Sequence, residues 1–186
     1  MRRLRIGIAG AVLVGAALLP ANASADTGLP RSYSADAFLT TTSGCVQTFV
    51  GIFPVAFKDL GTGQVVGASL NMQLEQFDIC GNSALLQASP GVVSLAPGEF
   101  EMSEGLNKAS LQLNVTVHDS LSGRDFPVSI DLDYQRVGPR SDCSEDVSSD
   151  EVTTFCSAIA EGVVSDGTTN YTPEPLSAVF QEHRPL

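Results

Sequence analysis

Residues 110–118 constrain the fold most, because they alternate between polar and apolar side chains without a break. Such alternation is typical of a β-strand that buries one face. A second alternating run, residues 126–134, follows a short connection that contains Gly123. Together the two runs predict an antiparallel hairpin with one apolar and one polar face.

The alternation also specifies the register of this hairpin. If Asp119 faces Arg124, Val117 lies opposite Phe126, and the other apolar residues of the two runs pair in the same way. A shift by one residue would set apolar against polar side chains along the whole hairpin. We therefore predict the pairing that begins at Asp119 and Arg124.

Residues 1–25 have the three parts of a secretory signal peptide. A basic start is followed by an apolar run over residues 6–19 and by the small residues Ala23, Ser24 and Ala25. The first cysteine, Cys45, lies too far downstream to carry a lipid anchor at the cleavage site. We therefore expect a secreted or periplasmic product without a membrane span, with residues 26–186 forming a single all-β domain.

A second hairpin is predicted over residues 45–57 and 66–80, which flank a glycine-containing connection. We predict the register that places Val55 opposite Leu70. Extending this register along both strands brings the first cysteine of the chain opposite the second.

The four cysteines of an exported chain predict two disulfides. Directly opposed residues on antiparallel strands lie close enough for such a bond, and the register of the second hairpin opposes Cys45 and Cys80. We therefore predict the pair Cys45–Cys80, which leaves Cys143 to bond with Cys156.

The chain outside the leader shows no helical period, so we predict an all-β fold. Further strand candidates are residues 32–41, 84–88, 92–95, 152–164 and 176–182. Eight or nine strands in a domain of this size predict an antiparallel β-sandwich, with a closed β-barrel as the alternative. The sandwich is favoured because residues 45–57 are apolar on both faces, as in a strand covered from two sides.

The charge of the chain limits its partners. The formal net charge is -11, and removal of Arg2, Arg3 and Arg5 with the leader makes the remainder more acidic still. Nucleic acids require basic side chains to neutralise phosphates, so we expect no nucleic-acid partner. A cation or a basic protein surface is the compatible kind of partner.

Three short segments resemble a loose class of exported bacterial β proteins. They are Gly44-Cys45-Val46 at the start of a strand, Cys80 at the end of the next, and residues 106–111 leading into the long hairpin. The resemblance implies an all-β fold over most of the exported chain. The class supplies no activity that could be assigned to a residue here.

An acidic stretch, residues 142–151, is the candidate metal site. Its five carboxylates could supply the oxygen ligands that Ca²⁺ prefers, on a loop closed by the second disulfide. The spacing departs from that of an EF-hand, and no cofactor other than calcium is expected. The candidate ligands are Asp142, Glu145, Asp146, Asp150 and Glu151.

Two weaker constellations could support catalysis. Asp131 and Asp133 project from one strand face about 7 Å apart, near the spacing of an inverting glycosidase pair. His118 faces Asp125 across the hairpin end, beside serines 120 and 122 of the turn, but the chain has no G-x-S-x-G motif. We therefore assign no catalytic residue.

These observations leave three hypotheses for the function. The first is a secreted, non-enzymatic β-sandwich that acts as a binding, adhesion or envelope-associated module. The second is a small exported hydrolase that uses carboxylates, and the third is a carrier of small ligands similar to a lipocalin. The sequence alone favours the first, because it shows export and two disulfides but no convincing catalytic set.

Overall fold

The computed structural model describes residues 31–103, 105–172 and 178–186 of the chain. The all-β prediction is confirmed, and the only helical element described is one 3-10 turn, Arg140–Asp142. No described helix has the length and apolar character needed to cross a membrane. The predicted signal peptide lies outside the described residues.

The strands are β1 (Arg31–Ser43), β2 (Val46–Lys58), β3 (Val65–Asp78), β4 (Leu85–Ser94), β5 (Phe100–Met102), β6 (Lys108–Asp119), β7 (Arg124–Arg136), β8 (Ser144–Val147), β9 (Glu151–Ser165), β10 (Asn170–Tyr171) and β11 (Ala178–Pro185).

All eleven strands belong to one antiparallel sheet with the order β4-β3-β2-β1-β11-β9-β7-β6-β5. The short strands β8 and β10 both pair with β9, which is the longest strand. The C-terminal strand β11 lies between β1 and β9, so it joins the half of the sheet formed by β1 to β4 to the half formed by β5 to β9.

The sheet curls until strands from its two sides touch, but it is not closed by a ladder of the described residues. The contact is made at Ala88 of β4. Its backbone N–H donates to the Asp119 carboxylate at 3.2 Å, and its carbonyl accepts hydrogen bonds from Ser120. An all-β antiparallel sheet is therefore established. The strand order does not close it into the barrel that was the alternative, and the two separate layers of the predicted sandwich are not confirmed, because the described strands form one sheet.

The inner face of the curled sheet carries one apolar core. Residues from both halves of the sheet belong to it, because alternate positions of every long strand point inward. Its largest fully buried apolar side chains are Tyr171, Phe180, Leu39, Ile52, Leu70, Met72, Leu74, Leu106, Leu111 and Leu132.

The predicted register of the hairpin β6–β7 is confirmed along its whole length. Asp119 faces Arg124, Val117 faces Phe126 and the apolar residues face one another as expected. The register follows from the strict alternation, since only this pairing buries one complete face of both strands.

The predicted register of β2–β3 is wrong by one residue. Ala56, not Phe57, lies opposite Ala68, and Leu70 faces Pro54 instead of Val55. The error arose because β2 is apolar on both faces, so that alternation does not distinguish the two pairings. In the observed structure Phe49 and Phe53 lie on the outer face of β2.

Both predicted disulfides are confirmed. Cys45 and Cys80 are bonded with their Cα atoms 5.1 Å apart, just beyond the last ladder pair of β2 and β3. Cys143 and Cys156 are bonded with a Cα separation of 4.5 Å. On the loop-entropy account these bonds stabilise the fold by about 4 and 3 kcal/mol, respectively.

The described residues form eleven strands, more than the predicted eight or nine. Three strands of two to four residues, β5, β8 and β10, carry no alternation long enough to detect. In addition, the two candidates on either side of Pro90 form the single strand β4. Proline is tolerated there because β4 is an edge strand, where a missing N–H interrupts no second ladder.

Candidate aromatic groove and basic pocket

The five carboxylates of the candidate calcium site lie on different elements. Asp142 ends the 3-10 turn, Glu145 and Asp146 lie on β8, Asp150 lies in the following turn and Glu151 begins β9. In the part of the chain that the structure describes, no three histidine, cysteine, aspartate or glutamate side chains are grouped as metal ligands. Calcium binding by this stretch stays a prediction.

Two of these carboxylates contact basic side chains. Glu145 accepts hydrogen bonds from Thr154 and from Arg184, both at 3.3 Å. Glu151 lies 3.7 Å from the ring of His183, which also contacts Thr153 at 3.0 Å. These contacts fasten β8 and β11 to the two sides of β9, which is a structural role.

The predicted contact between His118 and Asp125 is present, at 2.7 Å between Nδ1 and Oδ1. Both side chains are exposed. The two serines of the turn bond elsewhere: Ser120 donates to the carbonyl of Ala88, and Ser122 donates to the carboxylate of Asp119. The described hydrogen bonds therefore do not link a serine hydroxyl to this histidine.

Asp131 and Asp133 lie on the exposed outer face of β7, as predicted. Asp131 accepts a hydrogen bond of 2.9 Å from Gln112 of the neighbouring strand. Neither aspartate lines either of the two cavities described below.

The outer face of β1, β2 and β3 carries an aromatic cluster that sequence reasoning missed. Phe38 and Phe53 contact edge to face with ring centres 5.3 Å apart, and Phe49 contacts Phe77 in the same way at 5.7 Å. Phe38 and Phe49 are exposed. The signal for this cluster was the second apolar face of β2, which was interpreted as a buried layer.

A shallow groove of about 110 Å³ runs among these rings, and we call it the aromatic groove. Gly51 lies in its floor, and a Cβ atom at this position would lie 2.7 Å from the ring of Phe53. The missing side chain therefore lets the Phe53 ring lie over the strand. The groove is lined by Phe38, Thr40, Phe49, Gly51, Phe53, Gln73 and Glu75, with Leu39 and Val50.

A second, larger cavity of about 370 Å³ lies where the ends of several elements meet. Three cationic side chains line it, Arg31 from β1, Lys58 from β2 and Arg140 from the 3-10 turn. Tyr33, Gly105 and the connection between β2 and β3 complete the wall. We call this cavity the basic pocket.

Glu182 holds two of these cations in place. Its side chain is only 1% exposed on the inner face of β11, and its two carboxylate oxygens bind different arginines. Oε1 accepts a hydrogen bond from Arg31, and Oε2 accepts one from Arg140 at 2.8 Å. A buried carboxylate requires such partners, because an unpaired buried charge is costly.

The tyrosine and the aspartate of the basic pocket have structural contacts of their own. The ring centre of Tyr33 lies 4.8 Å from the ammonium of Lys58 and 5.1 Å from the guanidinium of Arg31. Asp59 accepts hydrogen bonds from Gly61 and Thr62 in its own turn, and the bonds from Thr62 lower the pKa of its carboxyl group. Asp59 is therefore ionised and committed to the turn.

Comparison of the chain with protein-family models, curated proteins and solved structures gave no match. The function is therefore inferred from the contacts of this chain itself.

Proposed function

We propose that this protein is an exported, non-enzymatic binding module, and that its aromatic groove receives a basic side chain of a protein partner. The observation that carries the proposal is the exposed aromatic cluster beside a carboxylate, on a chain of strongly negative charge. Two disulfides and the absence of a membrane-spanning helix among the described residues are compatible with export.

The aromatic rings favour a contact function because they are clustered. Phe38 is 53% exposed and Phe49 is 40% exposed, although both lie in the middle of regular strands. Single exposed apolar residues are common, but adjoining aromatic pairs on one surface are typical of interaction sites. Burial of these rings by a partner would supply favourable apolar area.

A lysine or arginine side chain suits the groove in size and chemistry. The volume of about 110 Å³ is smaller than that of usual small-molecule sites but accommodates one extended side chain. The methylene stem would contact Phe38 and Phe53, the cation would lie near the ring of Phe49, and Glu75 would neutralise its charge. The overall negative charge would speed the approach of a basic partner at low salt.

The two alternative functions have less support. A hydrolase would need its carboxylates in a cleft, whereas Asp131 and Asp133 lie on an open strand face. A carrier would need a large apolar cavity, whereas the inner face buries large side chains such as Tyr171 and Phe180.

For the fold, we propose that the halves of the curled sheet act as the two layers of a sandwich, because both contribute to one core.

The test is a binding measurement with a defined cationic probe. A fluorescein-labelled peptide of alternating lysine and serine is titrated with the purified protein at low and high salt, and anisotropy gives Kd. We expect Phe49→Ser and Phe38→Ser each to weaken binding about tenfold and Glu75→Gln a few fold. Leu121→Ser is the matched control, because Leu121 is exposed to 54% and does not line the groove.

Binding should weaken as salt rises, and a peptide of alternating aspartate and serine should not bind. The proposed function is refuted if the lysine peptide does not bind at low salt. The assignment to the groove is refuted if the two phenylalanine variants bind as tightly as the Leu121→Ser control.

A further inference from the structure

We propose that the basic pocket is a binding site for the oxyanion group of a small organic acid or phosphate ester. This site lies apart from the aromatic groove, and the inference does not depend on the proposed function.

The charge of the pocket departs from that of the whole protein. Acidic residues exceed basic ones by more than two to one in the chain, yet three of its ten lysines and arginines line this single cavity. Asp59 contributes the one carboxylate of the described wall, and its Oδ1 accepts hydrogen bonds from Gly61 and Thr62 of its own turn. With Glu182 behind the wall, the three cations are opposed by two carboxylates. The pocket is therefore locally positive on an acidic surface.

The cations are held by contacts that keep them at the pocket. Glu182 binds one nitrogen of Arg31 and one of Arg140 from below, which fixes both guanidinium groups while leaving other N–H donors on each. Lys58 forms no ion pair with any carboxylate in residues 31–103, 105–172 and 178–186. Its ammonium lies 4.8 Å from the ring centre of Tyr33. Such preorganised cations lower the cost of binding an anion.

The size of the pocket defines the ligand class. A volume of about 370 Å³ lies within the range of small-molecule sites and exceeds that of one inorganic ion. The ring of Tyr33 and the side chain of Leu60 provide apolar wall beside the three cations. A small molecule with one or two anionic oxygen groups and a short carbon skeleton matches this combination.

The chain offers a matched pair of variants, because Lys58 and Lys108 are its only lysines. Lys108 is exposed at the start of β6 and does not line the pocket. Calorimetric titrations of the disulfide-intact protein with succinate and with glycerol phosphate, at a constant ionic strength of about 0.1 M, measure the affinity. Because the ionic strength is constant, a difference in affinity between variants cannot arise from a difference in screening by salt.

We expect saturable binding of at least one of the two anions, weakened fivefold or more by Lys58→Met and unchanged by Lys108→Met. Lys58→Arg should retain binding, and choline chloride should give no heat of binding. The inference is overturned if neither anion binds, or if Lys58→Met and Lys108→Met have the same affinity. Phe38→Ser changes the aromatic groove and should leave anion binding to the basic pocket intact. The anion-binding inference and the proposed function can therefore fail independently of each other.

Discussion

Asp119 at the end of β6 accepts a hydrogen bond of 3.2 Å from the backbone N–H of Ala88 in β4, and this bond joins the two sides of the curled sheet. The same carboxylate also closes the β6–β7 turn by accepting bonds from Leu121 and Ser122. One side chain therefore connects a local turn to a contact between residues 31 positions apart.

Asp119→Ala should lower the midpoint of thermal unfolding by several degrees, because it removes both the turn bonds and the bond to β4. Asp59→Ala is the matched control, since Asp59 closes its turn with the same kinds of bonds but has no described partner across the sheet. Calorimetry should show a larger loss for Asp119→Ala. Equal losses would show that the bond to Ala88 does not stabilise the curled sheet.

Gly162→Ala should destabilise the protein by about 3 kcal/mol or more. Gly162 has φ of +123°, and a Cβ atom there would lie 2.1 Å from the backbone oxygen of Asp131 in the neighbouring strand. Gly167→Ala serves as the control, because its φ of +86° is equally unfavourable but its Cβ would meet only Pro127 at 4.0 Å.

Urea unfolding measures both glycine variants. We expect a loss of about 1 kcal/mol for Gly167→Ala, the ordinary cost of a side chain at positive φ. A loss of the same size for Gly162→Ala would contradict the close approach of β9 to β7.

Asp36→Asn should stabilise the protein at neutral pH. Burial raises the pKa of Asp36 to about 6, despite hydrogen bonds from Ser34 and Gln181 that favour its charged form. Folding therefore favours the protonated carboxyl group over the ionised one. The resulting contribution to stability is complete below about pH 4, and it is lost as pH rises through about 6. Asparagine stays neutral and can still accept the bond from Gln181.

The difference in unfolding free energy between Asp36→Asn and the wild type should grow between about pH 4 and pH 6 and then level off near 3 kcal/mol, because the pKa rises by about two units and each unit corresponds to about 1.4 kcal/mol. Urea titrations at five pH values measure it. A difference that is independent of pH would contradict the burial of Asp36.

The sequence predicted the structure correctly where a single physical requirement determines the pairing of residues. Strict alternation in β6 and β7 allows only one register, and the cysteine positions allowed the correct disulfides even though the β2–β3 register was displaced by one residue. The aromatic groove was missed because the face of β2 that carries Phe49 and Phe53 was interpreted as a covered layer. A strand that is apolar on both faces leaves this choice to tertiary packing.

The basic pocket could not be predicted from local patterns. Arg31 and Lys58 face each other in the β1–β2 hairpin, but Arg140 lies far away in the sequence. Glu182 of the C-terminal strand β11, which pairs with β1, binds both arginines and so holds Arg140 beside Arg31. The short strands were missed for a related reason. Strands such as β8 form because Glu145 and its neighbours lie beside an existing long strand, β9.

Mapping of the cationic peptide onto the protein by ¹H–¹⁵N NMR tests the central claim most directly. We expect the largest shift changes on addition of the lysine–serine peptide at the amides around Phe38, Phe49 and Gly51, with smaller changes elsewhere. Shift changes concentrated instead at the acidic residues 142–151, or along the outer face of β7, would show that the partner binds by charge alone and would contradict the aromatic groove as the binding site.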